Sequence, residues 1–89
     1  MLKGLGEKAP VIIVKNKFVD KVRKGMSVMA HHVLKCSDEI RPGDEVIVVD
    51  EGGSVIAVGR AAAASQTIRD LRSGVVVKVR KYRKTDDQN

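Results

Sequence analysis

Arg41-Pro-Gly-Asp-Glu-Val-Ile-Val-Val-Asp-Glu-Gly-Gly-Ser-Val-Ile-Ala-Val-Gly-Arg60 reads as one β-hairpin. A Pro-Gly pair opens it, the apolar runs Val46 to Val49 and Val55 to Val58 supply two strands, and Gly52-Gly53 gives the turn between them. With a hairpin fixed in mid-chain, the segments on either side become the ends of a small sheet domain. Both ends are basic, and charge of that kind needs a partner, which points to binding instead of catalysis.

Outward from the hairpin towards the N-terminus, residues 1–10 hold Gly4, Gly6 and several charges with little periodicity, and are expected to form a mobile arm. Val11 to Val14 is a β-branched run without polar alternation, which suits a strand buried on both faces. A helix follows, with Asn16 as N-cap, Phe18, Val19 and Val22 as its apolar stripe, and Gly25 just past its end. On its other side Lys17, Lys21 and Lys24 fall at i, i+4 and i+7 and make a single basic row. Ser27 to Cys36 reads as extended, in one bent strand or two, and Ser37 to Gly43 as a turn.

Towards the C-terminus, Thr67 with Asp70 three residues on predicts a weak capping box on a short helix running to about Ser73, with Gly74 ending it. Alternation then sets Val75, Val77 and Val79 inward and Lys78, Arg80 and Tyr82 outward. Residues 84–89 have the composition of a disordered tail. The predicted order is β-α-β-β-β-β-α-β, mainly β with two short helices and an antiparallel core. Such a sheet hides its edges most readily by closing into a small β-pseudo-barrel over residues 11–83.

Composition bounds the function. An 89-residue chain forms one domain with a thin core and leaves no room for a deep enzymatic cleft. Its single cysteine, Cys36, rules out an intramolecular disulfide and a cysteine-based zinc cluster. No apolar run exceeds four residues, against the ~20 needed to span a bilayer, and nothing at the N-terminus resembles a signal peptide, so a cytoplasmic location is expected. The net charge of +6 makes nucleic acid the first partner to consider. The charge is also unevenly spread: net +5 over residues 1–25, −4 over 26–59 and +5 over 60–89. If the two basic ends meet, they form one positive face opposite an acidic hairpin.

Four runs, Lys24-Gly-Met-Ser-Val-Met29, Ile40-Arg-Pro-Gly-Asp-Glu-Val-Ile-Val-Val49, Ile56-Ala-Val-Gly-Arg-Ala61 and Gly74-Val-Val-Val-Lys-Val-Arg80, together resemble the PUA domain. Within that family the chain is most similar to the C-terminal domain of archaeal tRNA-guanine transglycosylases, over about residues 11–82. The resemblance implies a pseudo-barrel of about six strands with an RNA-binding groove beside the first helix and the last strand. Carried onto this sequence, the groove consists of the turn Gly25, Met26 and Ser27, the following Val28 and Met29, the flanking Lys17, Lys21 and Lys24, and Lys78, Arg80 and Tyr82 from the last strand. A glycine there lets a phosphate approach the main chain and leaves amides free to donate. In transglycosylases the domain is an appendage to a catalytic barrel, so the resemblance implies, as one expected partner, a transglycosylase catalytic chain acting in trans.

Other chemistry-bearing residues read as structural. His31 and His32 are adjacent on an expected strand and would point to opposite faces, so they cannot chelate one ion together. Lys35 beside Cys36 lowers a thiol pKa in principle, but no partner base accompanies it. Asp44, Glu45, Asp50 and Glu51 bracket the hairpin at its two ends and suit turn chemistry better than paired acid–base work. With only Phe18 and Tyr82 as aromatics, a multi-aromatic stacking platform is missing, so recognition should rest on backbone and shape.

The reading that follows is a module binding structured RNA, tRNA or ribosomal RNA, without a catalytic residue, metal or cofactor, that docks or orients RNA for a separate modification enzyme. Two other classes compete with it. One is a protein-interaction adaptor using the acidic hairpin or a strand edge; the other is a small-molecule or translation-factor-like barrel with a ligand inside or at its mouth, against which the bulky inward valines and isoleucines argue for a filled interior.

Overall fold

The computed structural model describes residues 9–82; the expected arm up to residue 8 and the tail 84–89 lie outside the described residues. The elements are β1 (Val11–Val14), α1 (Val19–Arg23), β2 (Val28–Met29), β3 (Val33–Cys36), β4 (Glu45–Val49), β5 (Val55–Ala61), α2 (Ser65–Asp70) and β6 (Val75–Tyr82). Short 3-10 turns occupy Asn16–Phe18, before α1, and Ala30–His32, between β2 and β3. The protein is thus mainly β with two short helices, in the predicted order.

All six strands belong to one sheet ordered β2-β6-β5-β4-β1-β3. Its two edge strands, β2 and β3, are joined through the three residues Ala30–His32, so the sheet has to curl until the two edges come together at that turn, without pairing along their length. That covalent link explains the nearly closed barrel. Ala30 N–H donating to Gly74 C=O at 2.8 Å extends the β2–β6 pair, and Lys15 N–H donating to His32 C=O at 2.9 Å extends β1–β3, so both edges are held up to the turn that links them. The pairings are antiparallel except β1–β4, which run parallel, so the expected antiparallel core is broken at one seam.

The central hairpin forms as the turn chemistry requires. Asp44 N–H closes the Arg41–Asp44 turn on Arg41 C=O, while the Asp44 carboxylate accepts from Arg41 N–H, each at 3.0 Å. At the far end Asp50 Oδ1 accepts from Gly52 and Ser54 N–H, both at 2.9 Å. Inside the barrel Ile12, Val14, Val46, Val48, Ile56 and Val76 are fully buried, and each such side chain contributes roughly 1.5–3 kcal/mol.

Several local expectations are corrected. β1 alternates: Ile12 and Val14 are buried, Val11 and Ile13 half-buried. Asn16 caps no helix, because its side chain is taken by Glu51. The Thr67–Asp70 capping box is not made. The helix starts earlier, after Ala64, and Ser65 instead bonds across the fold, its N–H to Ile40 C=O at 3.0 Å and its hydroxyl to Asp38 C=O at 2.6 Å. That helix stops at Asp70, where Leu71 is already extended, short of Gly74.

In β6 the simple alternation fails twice. A register shift against β2 buries Val76 alongside Val77 and leaves Val75 38% exposed. A second shift against β5 places Arg80 as an extra residue between the pairs Val79–Gly59 and Lys81–Val58. From there the facing inverts: Lys81 joins Lys78 on the outside, while Tyr82 lies opposite the buried Ala57.

Candidate nucleic-acid interface

α1 is anchored by Val19 and Val22, both buried, which leaves Lys17, Lys21 and Lys24 exposed along its outer side. Phe18 organises the first two. The Lys17 ammonium lies 5.2 Å and that of Lys21 6.0 Å from its ring centroid, within cation–π range. Beneath the phenyl ring sits His32, ring centroids 4.4 Å apart, and His31 meets it edge-on at 5.4 Å. The two imidazoles also touch each other, at 4.4 Å. They occupy a 3-10 turn instead of a strand, so the expected opposite facing does not hold. His32 is 3% exposed and its Nδ1 accepts from Met29 N–H at 3.1 Å. Burial, reinforced by His31, Lys21 and Lys15, pushes its pKa below the ordinary histidine value, so the ring is held neutral. Sequence reasoning missed this Phe18–His31–His32 cluster because it treated the histidines as strand residues.

α1 ends in a Schellman motif: Gly25 N–H bonds Val22 C=O at 2.9 Å and Met26 N–H bonds Lys21 C=O at 3.2 Å, with Gly25 at φ 89°. Those two amides are therefore spent on the helix and are not free donors, contrary to expectation. The space above Gly25 is filled as well. A Cβ there would stand 2.8 Å from Tyr82 Cε1, so the last strand and the α1 turn are in contact. Met26 is 52% and Tyr82 41% exposed beside that seam. Ser27 and Met29 are half-buried and Val28 is fully buried, which leaves Val28 no side-chain surface to offer a ligand.

Lys78 and Arg80 sit apart from the seam. The register sets Lys78 beside Arg60 on the outer sheet face, and Arg80 is ion-paired with Glu45 at 3.0 Å. Arg60 and Lys81, which share that face, were not singled out from sequence; the hairpin register would have exposed Arg60, but the bulge that turns Lys81 outward has no local signal. The acidic turn is not behind the basic face. Glu51 and Asn16 exchange two hydrogen bonds, Asn16 N–H to the carboxylate at 2.9 Å and Glu51 N–H to the amide oxygen at 3.2 Å, which brings the hairpin tip next to Lys17.

At the opposite edge Arg69 pairs with Asp38 beside Cys36, whose thiol is pushed up by burial against the pull of Arg69; Lys35 does not activate it. Among the described residues no group of three His, Cys, Asp or Glu side chains is arranged to hold a metal ion, and no helix is long and apolar enough to cross a membrane.

A family model described as the PUA domain matches residues 10–83. A protein of uncharacterised role from Methanocaldococcus jannaschii is 39% identical over 98% of the chain, which spans 18% of that protein. The tRNA-guanine(15) transglycosylase of Methanosphaera stadtmanae is 39% identical over 68% of the chain, here 9% of the enzyme. Among solved structures, an H/ACA ribonucleoprotein bound to a substrate RNA containing 2′-deoxyuridine superposes with a TM-score of 0.82 at 26% identity, covering 83% of this chain and 23% of that one. The chain thus corresponds to a small part of the length of each.

Proposed function

The chain belongs to the PUA domain family, and from that premise we propose that it is a non-catalytic RNA-binding module that docks structured RNA, a tRNA or ribosomal RNA, for a separate modification enzyme. The observation that carries this is the exposed Lys17, Lys21 and Lys24 row, none of it in an ion pair among the described residues, ending at the Gly25–Tyr82 seam. Ammonium groups in such a row neutralise successive phosphates and release counterions, which fixes register without reading sequence. Tyr82 and Met26 add exposed apolar surface for an unpaired nucleotide beside the row. The transglycosylase relatives favour tRNA, a cytoplasmic setting, and a catalytic chain, in cis or in trans, as the recipient of the RNA.

Filter binding of a stem-loop RNA with a single-stranded tail, over a salt series, tests the proposal. Replacing Lys17, Lys21 and Lys24 by Gln should lower the log–log salt slope by about 2, at about 0.7 per single-strand phosphate. No affinity at low salt sinks the reading. One observation favours the adaptor alternative: β3 is an edge strand, and Leu34 is 48% and Leu71 37% exposed around a cavity of about 600 Å³ between β3 and α2. The small-ligand alternative loses ground, since the barrel interior is packed with aliphatic side chains.

A further inference from the structure

The outer face of β4, β5 and β6 forms a grid that the register defines. Glu45, Arg60 and Lys78 lie side by side in one row, Ile47, Val58 and Lys81 in the next, and Arg80 occupies the bulge between the two rows. Four cations thus share this face with one carboxylate, and that carboxylate is already paired with Arg80. Arg60 and Lys78 stand directly opposite each other, an arrangement of like charges that weakens a sheet. The sheet is also shaped there. A Cβ on Gly59 would run into the Lys78 carbonyl, so only glycine lets β5 and β6 approach this closely, and a depression of about 170 Å³ opens between Glu45, Val58, Gly59, Arg80 and Lys81.

The geometry points to this face as a second phosphate-binding surface, separate from the α1 row, that holds the backbone of a base-paired RNA stem. The inference rests on the RNA-binding reading and adds to it a second surface and the kind of RNA it takes. A paired stem fits because the face presents cations and carries no aromatic side chain: Phe18 packs against His31 and His32, and Tyr82 lies on Gly25. Single strands need a stacking platform, whereas an A-form stem is gripped through its phosphates and shape. Both surfaces border the end of β6, where Lys81 faces outward and Tyr82 faces α1, so one RNA can pass from stem on the outer face to unpaired nucleotides at the seam.

The test uses two probes, a blunt RNA hairpin and an unpaired oligonucleotide of equal length, with the triple variant Arg60→Gln, Lys78→Gln and Lys81→Gln. All three positions are exposed, and unchanged thermal unfolding confirms that the variant folds. The hairpin salt slope should fall by about 2 to 3 and oligonucleotide affinity should hold. Glu45→Gln, which frees Arg80, should tighten hairpin binding. An unchanged hairpin slope, or equal loss on both probes, overturns the inference while leaving the α1 row intact. Wild-type protein that binds neither probe instead overturns the RNA reading beneath it. Capture of poly-glutamate that the triple variant abolishes, with hairpin binding untouched, assigns the face to an acidic protein and also overturns it.

Discussion

The ring of Tyr82 lies so close over Gly25 that a Cβ at residue 25 would stand 2.8 Å from Cε1 and 3.1 Å from Cζ. The last described strand therefore seals the turn that ends α1, and two effects combine at one position. Residue 25 has φ 89°, which costs an L side chain about 1–2 kcal/mol, and the ring must also move. Gly25→Ala should destabilise by at least the backbone amount, and in a Tyr82→Ala background by that amount alone. Urea unfolding of the four proteins in a double-mutant cycle should show a coupling of about 0.5 kcal/mol or more; strict additivity would show that the ring is not a constraint.

Gly59 poses a different problem, because its neighbour is main chain. A Cβ there meets the Lys78 carbonyl and comes within 2.9 Å of Val79 Cα, neither of which can rotate away. Gly59→Ala should therefore cost about 3 kcal/mol, at the upper end of overpacking, whereas Gly53→Ala, in open space but at φ 90°, bears only the backbone cost of about 1–2 kcal/mol. Equal urea midpoints for the two variants would refute the close approach of β5 and β6.

What could be read from the chain is what local chemistry decides. The Pro42-Gly43 and Gly52-Gly53 turns, the alternation of Val46 and Val48, and Gly25 behind Val22 each carry their signal within a few residues, and they sufficed for the elements, their order and the barrel. What escaped depends on partners far along the chain. The parallel β1–β4 pair, the bulge at Arg80 and the Asn16–Glu51 contact, 35 residues apart in sequence, are set by how the sheet closes. The bulge matters most for the site: a one-residue slip exchanges faces, which is why Tyr82 parts from Lys78 and joins Gly25.

His32 makes folding pH-dependent with a definite sign. Its folded pKa is lowered, chiefly by burial, so the unfolded chain binds more protons and stability rises with pH. Its contribution is fully present above the unfolded value of 6.5 and is lost as pH falls below that towards the folded value. Thermal unfolding between pH 7.5 and about 5 should show a falling midpoint. His32→Gln, whose amide oxygen can still accept from Met29 N–H, should flatten that limb even if it lowers the plateau. A limb equally steep in the variant would assign the acid sensitivity to other groups.

Glu51 offers the sharpest check on how the hairpin and the basic row interact. Its carboxylate binds Asn16 N–H immediately before Lys17, so it places negative charge at the entrance of the lysine row and opposes the approach of a phosphate. Glu51→Gln keeps a carbonyl oxygen for the Asn16 N–H and removes only the charge. Folding stability should change by less than about 1 kcal/mol, while RNA affinity at low salt rises and the gain fades as salt is added. Asn16→Ala separates the two roles, since it deletes the bond to Glu51 N–H, should cost about 1 kcal/mol, and leaves the charge in place. If Glu51→Gln weakens RNA binding, or tightens it equally at all salt concentrations, the lysine row beside it is not where phosphates dock.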